Sequence, residues 1–389
     1  MVTNIKYSVG FDVSKEEVEV CLSVINSMQE VKIKASRKSK STISSFKELK
    51  QWIEKHLKEK LPVTVTMEAT GVYYEELAMF LFNNGFYVSV VLPNKAKKYA
   101  QAKGFKSKND KIDAKGLSYM GAEQCLARWE PFSENIYELR ALTRQNEDLQ
   151  IQRTMILNRM EALKCSGYKN RFIEKQELKI LKLINQQVEE VNEQIEKTVR
   201  EDEVLNNKIN KICKVKGLGI LTVATIVAET NGFKLFRNQR QLTSYAGYDV
   251  VENQSGKRVG KTRISKKGNS HIRRALHMPA LNMVRYEQLG YKELYERIYL
   301  KTGIKMKGYV AIQRKLLVLI YALWKKDEEY DPNYLKRGMD KTSGDDESKS
   351  LFSLNFGEVA KKIGDIKSPT LDKLPYDESP EVLFSLVQS

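Results

Sequence analysis

Three short segments rich in β-branched residues open the chain, at residues 5–13, 17–24 and 29–35. Only a few polar residues separate each segment from the next, a spacing that is typical of a β-meander. Strands joined by such short connections pair antiparallel, because a parallel crossover needs a dozen or more residues. The opening of the chain therefore predicts an antiparallel half of a sheet.

Helix and strand patterns alternate after this meander. They are a helix at about 43–58, the strand VTVTM at 63–67, a helix at 72–84, the strand YVSVVL at 87–92 and a helix after Pro93. Adding βα units to a meander gives a mixed sheet that is covered by helices. We therefore predict an α/β domain over residues 1–130.

Two carboxylates stand at strand ends in this arrangement. Asp12 ends the first predicted strand and Glu68 ends the fourth, so neighbouring strand ends would bring the two side chains together. A carboxylate at the tip of a buried strand is costly unless a cation or another partner compensates its charge. Taken alone, Asp12 is typical of a strand-end turn and Glu68 of a loop.

Asp110 and Asp113 lie three residues apart in KNDKIDAKGL, so they share one face of a predicted helix. Leu117 and Met120 continue the same stripe. This helix should pack on the sheet with both aspartates pointing inward at its N-terminal end. A helix cap beside Asn109 is the ordinary alternative for Asp110.

These four acids, taken together, indicate a metal site. Converging carboxylates repel one another unless cations lie among them, and Mg²⁺ prefers such oxygen ligands. One or two Mg²⁺ ions could then assist the displacement of a phosphoryl group. We therefore assign Asp12, Glu68, Asp110 and Asp113 as predicted catalytic residues and metal ligands.

Heptad patterns fill residues 131–210, the predicted coiled-coil arm. One run occupies positions 139–163 and a second occupies 184–209, with the turn-like CSGYKN between them. The two long helices form either an antiparallel hairpin within one chain or an arm that pairs with another chain. We favour the oligomerising arm.

An apolar helix is predicted at 215–229, behind the turn Gly217-Leu218-Gly219. A glycine turn at a helix N-terminus exposes backbone N–H groups that suit a phosphate, although such a turn also simply redirects a chain. We expect residues 211–326 to form a mostly helical domain that contains this helix-hairpin-helix-like segment.

Lys and Arg are concentrated in two stretches without acids, residues 93–109 and 255–274. In the first stretch, lysines alternate with the aromatic residues Tyr99 and Phe105. This pattern fits two interpretations equally well: a groove that follows a nucleic-acid backbone, or a helix face exposed to solvent. Glycines interrupt the second stretch and let its backbone approach phosphates. The predicted nucleic-acid contacts are Lys97, Lys98, Lys103, Lys106, Lys108, Lys257, Arg258, Lys261, Arg263, Lys266, Lys267, Arg273 and Arg274.

Ser255 stands inside the second basic stretch, directly before Gly256. A serine hydroxyl can attack a phosphodiester if a base or metal activates it and positive charge stabilises the transition state. From composition alone Ser265 and Ser270 are equal candidates, and a plain loop hydroxyl is the ordinary interpretation of each.

The charge of the chain fits a polyanionic partner. The 389 residues carry a formal net charge of +17, and residues 1–326 alone carry +23, because the stretch 327–389 is acidic. Nucleic acid is the commonest partner of so basic a body, ahead of a membrane surface. The acidic stretch is predicted to be a separate, partly disordered tail.

Four dispersed cysteines and three dispersed histidines show no metal-ligand spacing. We expect reduced thiols and a cytoplasmic protein that is nucleoid-associated in use. The opening MVTNIKYSVG lacks the apolar region of a signal peptide, and no apolar run is long enough to span a bilayer.

Five segments in this order resemble the IS110-type transposases. They are GFDVSK around Asp12, MEATGVYYEEL around Glu68, KNDKIDAKGL around both aspartates, VKGLGILTVATIVAE, and YAGYDVVENQSGKRVGKTRISKKGNSHIRRAL. The resemblance covers residues 5 to about 325. It implies a RuvC-like (RNase H fold) domain with a DEDD acidic set, a coiled coil and a C-terminal transposase domain.

The resemblance also implies an activity and its partners. It implies a DNA recombinase that moves an insertion sequence with Mg²⁺ on the four acids and with Ser255 as the nucleophile that joins DNA phosphate. It implies a structured non-coding guide RNA and dimers or tetramers whose active sites combine two subunits. Gln254 precedes Ser255 where many relatives, such as the group related to IS1111, have a second serine.

Three rival functions differ in what they require. An actin-like or sugar-kinase ATPase needs a glycine-rich phosphate turn after the first strand, and DVSKEEVEV supplies none. A Holliday-junction resolvase uses metal-dependent hydrolysis alone, so Ser255 would be dispensable. In a non-catalytic nucleic-acid scaffold, alanine at Glu68 would change nothing.

Overall fold

The computed structural model describes residues 2–105, 107, 109–252, 254–256, 258–260, 262–288 and 290–331. Four of the predicted nucleic-acid contacts (Lys106, Lys108, Lys257 and Lys261) lie outside the described residues, as does most of the predicted acidic tail 327–389. Residues Met1–Glu328 form one compact unit. No helix in the described part of the chain is both long enough and apolar enough to cross a membrane.

A five-stranded mixed sheet organises the N-terminal part. Its strands are β1 (Asn4–Val13), β2 (Glu17–Asn26), β3 (Val31–Lys40), β4 (Val63–Glu68) and β5 (Tyr87–Val91). They lie in the order β3-β2-β1-β4-β5. The first three pair antiparallel, and β4 and β5 add in parallel. The predicted mixed α/β sheet is therefore confirmed.

The two faces of this sheet have different chemistry because side chains alternate along each strand. One face carries large apolar residues such as Phe11, Leu22 and Met67, which are fully buried. They pack against helices α1 (Ile43–His56) and α2 (Tyr73–Asn83). This apolar layer supplies most of the N-terminal core.

The opposite face carries small residues, and one helix lies on it. Helix α3 (Pro93–Ala102) precedes this helix, α4 (Asp110–Glu123). The Ser118 hydroxyl of α4 donates to the Ser8 carbonyl at 3.0 Å and lies 2.6 Å from the Ser23 hydroxyl. Small side chains let the helix approach the strands closely, which fixes its position along the sheet.

Two long helices, α5 (Glu134–Cys165) and α6 (Arg171–Glu201), form what we call the arm. Asn146 bonds Asn192, and Arg153 bonds Asn185, so the helices run antiparallel within one chain. The hairpin alternative is therefore what the structure contains, and pairing with another chain stays a prediction.

The second helix of the arm is shorter than its heptad pattern, which continues to residue 209. Helix α6 ends at Glu201, and α7 (Glu203–Cys213) begins after a break. Asp202 causes the break locally, because its side chain accepts from the Leu205 amide at 3.0 Å and caps α7.

The C-terminal part is mostly helical, as predicted. Its helices are α8 (Ile220–Glu229), α9 (Gln239–Tyr245), α10 (Ser270–Ala275), α11 (His277–Arg285), α12 (Lys292–Thr302) and α13 (Lys305–Lys326). Buried residues of α8 and α13 form much of the core. Four two-residue strands lie between α9 and α10: β6 (Val250–Val251), β7 (Gln254–Ser255), β8 (Arg258–Val259) and β9 (Arg263–Ile264). The sequence reasoning did not predict these strands.

Candidate active site

Asp12 and Glu68 lie on neighbouring strands at the same end of the sheet. Phe11 pairs with Met67 in parallel register, and the two acids are the next residues on β1 and β4. Each shares a face with the residue two positions earlier, Gly10 or Thr66. Both of those residues contact α4, so both acids belong to the α4 side of the sheet.

Helix α4 presses directly on the backbone of β1. A Cβ atom at Gly10 would overlap the carbonyl oxygen of Ala114 and the amide nitrogen of Ser118. Glycine is therefore required for this close approach. The contact brings the N-terminal turn of α4, with Asp110 and Asp113, toward the strand ends; Asp113 is half-buried and Asp110 is exposed.

The stripe predicted for α4 is confirmed below the aspartates, since Leu117 and Met120 are buried. Asn109 caps the helix, because its side chain accepts from the Ile112 amide at 2.9 Å. The cap role therefore belongs to Asn109, which leaves the Asp110 side chain available for other contacts. Beside Glu68, the Thr70 hydroxyl donates to one carboxylate oxygen at 3.3 Å.

Glu19 is a fifth carboxylate at this end of the sheet that the sequence reasoning missed. It pairs directly with Asp12 across the antiparallel register, so both side chains point to the same face. Burial raises the pKa of Glu19, with Lys38 opposing the shift and Asp110 adding to it. The signal was available in the sequence, because the tight turn after Val13 fixes which residue lies opposite Asp12.

The donor chemistry of this end of the sheet fits Mg²⁺, although the side chains do not form a closed cage. Among the described residues, no three His, Cys, Asp or Glu side chains converge closely enough to hold a metal ion. The ligand types are carboxylates alone, which hard divalent cations prefer. We call Asp12, Glu68, Asp110 and Asp113 the acidic edge.

The first basic stretch lies on α3 and the loop behind it. Lys97 and Lys98 are exposed there. Lys103 instead forms an ion pair with Glu123 at 2.6 Å, and the Tyr99 hydroxyl donates to the same carboxylate at 2.7 Å. Lys103 and Tyr99 are thus engaged within the chain, whereas Lys97 and Lys98 present their charge to solvent.

The second basic stretch begins at the tip of a β-hairpin, where Ser255 lies, and continues through the second half of the hairpin into α10. Strand β6 pairs with β9, and farther out β7 pairs with β8, with Ser255 opposite Arg258. Two residues separate this last pair. The first of them, Gly256, has φ +56°, a left-handed conformation that glycine adopts without strain. Ser255 is exposed.

The base of this hairpin is closed by backbone contacts. We call residues 248–267 the serine hairpin. The Lys266 amide donates to the Gly247 carbonyl at 3.1 Å, and the Asn269 amide donates to the Tyr245 carbonyl at 2.7 Å. A Cβ atom at Gly268 would overlap the Tyr245 carbonyl and the Gly247 backbone. The hairpin therefore projects from a tightly packed root.

The predicted nucleic-acid contacts of this region divide into two groups. Arg258 and Arg263 on the hairpin, and Lys266 and Lys267 at its base, are exposed. Arg273 donates to the Ala246 carbonyl at 2.8 Å, and Arg274 forms an ion pair with Glu147. These last two guanidinium groups hold α10 in place, so their charge is partly satisfied inside the chain.

Glu229 is a second acid that the sequence reasoning passed over, at the end of the apolar helix α8. Its carboxylate is buried, with 1% of the residue exposed. Arg144 donates to both oxygens, at 2.7 and 3.0 Å. Burial works to raise the pKa of Glu229, but the hydrogen bond from Arg144 and the charges of Arg140 and Arg144 outweigh it and leave the pKa lowered.

Two family models match the chain, and both describe transposases. One, a DEDD transposase model of the IS110 type, matches residues 9–163. The other, described as transposase IS116/IS110/IS902 family, matches residues 209–296. The first range contains the acidic edge and the second contains the serine hairpin.

The chain is also similar over most of its length to curated proteins. A pilin gene-inverting protein from Moraxella bovis is 27% identical over 327 residues, which cover 84% of this chain and 98% of the relative. Its counterpart from Moraxella lacunata matches to the same extent. The transposase of insertion sequence IS1111A from Coxiella burnetii is 23% identical over 294 residues, covering 68% of this chain and 79% of the relative.

Proposed function

The chain belongs to the IS110 family of transposases, and from this premise we propose that it cuts and rejoins DNA with a two-part active site. It is a DNA transposase or recombinase. In our proposal, the acidic edge supplies the carboxylates and Ser255 supplies the nucleophile.

The observation that carries this proposal is the position of Ser255. It lies at the exposed tip of a hairpin, next to a left-handed glycine and opposite Arg258. A protruding tip can reach a phosphodiester on bound DNA, and the neighbouring guanidinium can stabilise charge that develops on the phosphate.

The chemical step that we propose is a transesterification. The Ser255 Oγ forms a bond to phosphorus, the bond from phosphorus to one deoxyribose oxygen breaks, and that oxygen takes up a proton. Rejoining is the reverse step. A DNA hydroxyl attacks the phosphorus that is bound to Ser255, the bond from phosphorus to the serine oxygen breaks, and the serine hydroxyl is restored. The phosphoester bond is conserved throughout, so no external energy source is required.

The acidic edge has a complementary role in this proposal. Asp12, Glu68, Asp110 and Asp113 would hold one or two Mg²⁺ ions. When bound, Mg²⁺ supplies electrostatic stabilisation of the attacking or leaving oxygen. The carboxylates would act on the scissile phosphate through the cation that they hold, because carboxylate and phosphate groups alone repel each other. The exposed Lys97 and Lys98 on α3 add positive charge that attracts the DNA backbone.

We further propose that an acidic edge of one subunit works with the serine hairpin of another. Support comes from the arm, whose second helix exposes large apolar side chains along its outer half. They are Phe172, Ile173, Leu178, Ile180 and Leu183. Exposed apolar residues of this size favour association, and pairing of two arms would bring two chains together.

We also propose that a structured non-coding RNA directs the enzyme to its DNA sites. The exposed cations of α3 and of the serine hairpin give two separate basic surfaces, and one polyanion need not occupy both. Omitting the RNA of the element should abolish recombination between donor and target plasmids while DNA binding without sequence preference persists. Unchanged recombination without RNA would contradict this proposal.

The two-part site can be tested by mixing inactive variants. Ser255→Ala and Glu68→Gln proteins should each fail to recombine donor and target plasmids in the presence of Mg²⁺ and the RNA of the element. Mixed together, they should regain activity, because one composite site then contains an intact acidic edge and an intact serine. The covalent protein–DNA adduct is measured on a denaturing gel.

A matched control separates this outcome from simple reassociation. A mixture of Asp12→Asn with Glu68→Gln should stay inactive, because every acidic edge in it is damaged. If Ser255→Ala protein alone still cuts DNA normally, the chain is a metal-dependent endonuclease without serine chemistry. If Glu68→Gln also leaves cutting and rejoining unchanged, the carboxylates are not catalytic.

A further inference from the structure

The root of the serine hairpin is attached to one face of helix α5. Tyr137, Arg140, Arg144 and Glu147 follow one another at helical spacing, and we call them the anchor face. Arg144 contacts Glu229, while Glu147 contacts His271 at 2.6 Å and Arg274. Four consecutive positions of one stripe thus make polar contacts to other parts of the fold.

Glu229 is the central member of this attachment. Arg144 donates a hydrogen bond to each oxygen of its carboxylate, and the Arg140 Nε lies 3.6 Å from one of these oxygens. The Asn269 side chain donates at 2.7 Å to one of the two oxygens that Arg144 also contacts. A carboxylate this deeply buried is costly without such partners, so its geometry is fixed by all of them together.

Both ends of the hairpin bond to Glu229, one to its carboxylate and the other to its backbone carbonyl. Asn269 stands where the chain leaves the hairpin, and its side chain oxygen also caps α10 by accepting from the Ile272 amide at 3.1 Å. Tyr245 stands where the chain approaches the hairpin, and its hydroxyl donates to the Glu229 backbone carbonyl at 3.2 Å. The two flanks are therefore tied to one residue of α8.

The other end of the anchor face leads to the acidic edge. The Tyr137 hydroxyl donates to Glu75 at 3.0 Å. Glu75 lies in the first turn of α2, the helix that directly follows Glu68. One stripe of α5 therefore connects the helix behind the acidic edge with the root of the hairpin that carries Ser255.

We propose that Glu229, held by the anchor face, is a positioning residue that sets the serine hairpin relative to α5 and so aims Ser255 at DNA. This inference rests on the two-part active site proposed above. Glu229 is buried, and its role is to act through Asn269 and Tyr245 at the two ends of the hairpin. Loosening it should disturb the serine half and leave the acidic half of the same chain intact.

The test uses a substitution that removes one link and keeps the fold. Asn269→Ser retains an N-cap side chain for α10 but cannot reach the Glu229 carboxylate. Losing a hydrogen bond to a charged group should speed amide hydrogen exchange in the segment 245–269 about tenfold. Exchange in the five-stranded sheet should not change. Asn185→Ser, which removes the bond from Arg153 in the arm, is the matched control.

Directional mixing supplies the functional readout. Asn269→Ser and Glu229→Gln proteins should complement Glu68→Gln, because they contribute an intact acidic edge and their partner contributes an intact serine. They should not complement Ser255→Ala. A protein that is merely misfolded would fail in both mixtures.

Two results would overturn the positioning role. One is unchanged hydrogen exchange of residues 245–269 in both variants, and this result counts whether or not the chain uses serine chemistry. The other is equal complementation of Ser255→Ala and Glu68→Gln. Failure of the reference mixture, Ser255→Ala with Glu68→Gln, would contradict the two-part site instead, and hydrogen exchange would still decide the role of Glu229.

Discussion

The acidic edge and the serine hairpin are built in opposite ways. The edge is part of a sheet that is packed on both faces, and its carboxylates are placed by strand register and by the seat of α4 on Gly10. The hairpin has two-residue strands around an exposed tip, and its position depends on its root. Damage to the first should therefore unfold the domain, whereas damage to the second should misplace one loop.

The largest effect should follow from adding a side chain at Gly10, where α4 packs directly on the backbone of β1. Gly10→Val would push Cβ and two methyl groups into the backbone of α4, which cannot rotate away as a side chain could. We expect a loss of about 3 kcal/mol in the free energy of unfolding, together with loss of DNA cleavage. Urea denaturation measures the first and plasmid cleavage the second.

Gly167→Val is the matched control, because a Cβ at Gly167 has open space around it. It lies between the two arm helices and should change stability by less than about 0.5 kcal/mol. Equal destabilisation by the two variants would show that α4 does not rest on β1 as described, and the placement of Asp110 and Asp113 would fall with it.

The contrast between the two regions also explains what the sequence could predict. The N-terminal strands and helices were predictable because β-branched runs and apolar stripes are local signals, and Leu117 is buried as its position in the stripe indicates. The cap of α4 differs, because Asn109 caps the helix and Asp110 does not. Glu19 was missed because its partnership with Asp12 depends on strand register, which a list of carboxylates at strand ends does not include.

The C-terminal half was less predictable, for a physical reason. The serine hairpin is rich in Lys, Arg and Gly and has little alternation of apolar and polar residues, so its strands leave a weak signal. In the sequence, Glu229 looks like an ordinary acidic residue at the end of a helix. Its importance arises from Arg144 and Asn269, which lie 85 and 40 residues away in sequence.

A smaller effect is expected at the root of the hairpin. Gly268→Ala places a methyl group against the Tyr245 carbonyl and the Gly247 backbone. The strain should cost about 1 to 2 kcal/mol, most of it relieved by opening the root locally. The midpoint of global unfolding should therefore change little, while the rate of recombination should fall strongly. A general loss of stability would instead lower both together. Gly167→Ala serves as the control, and a purely global loss would contradict this prediction.

A still smaller effect separates backbone conformation from packing at the tip. Gly256 has φ +56° and open space around its Cβ position, so alanine there meets no neighbour and only the conformation is penalised. Gly256→Ala should cost roughly 1 kcal/mol in the local hairpin. Asparagine tolerates this region better, so Gly256→Asn should recover most of the adduct formation. If both variants react like the wild type, the turn does not position Ser255.

The smallest effect should come from single exposed cations, and it should appear in the salt dependence of DNA binding. If Arg258 and Arg263 each neutralise one phosphate, changing either to Gln should reduce the slope of log K against log salt by about 1. Arg274, whose guanidinium is paired with Glu147, should not follow this rule: Arg274→Gln should weaken the hairpin root while changing the slope less. Filter binding at several salt concentrations measures the slope, and hydrogen exchange of residues 245–269 measures the root. Equal slopes for all three variants would remove the distinction between cations that face DNA and cations that hold the hairpin.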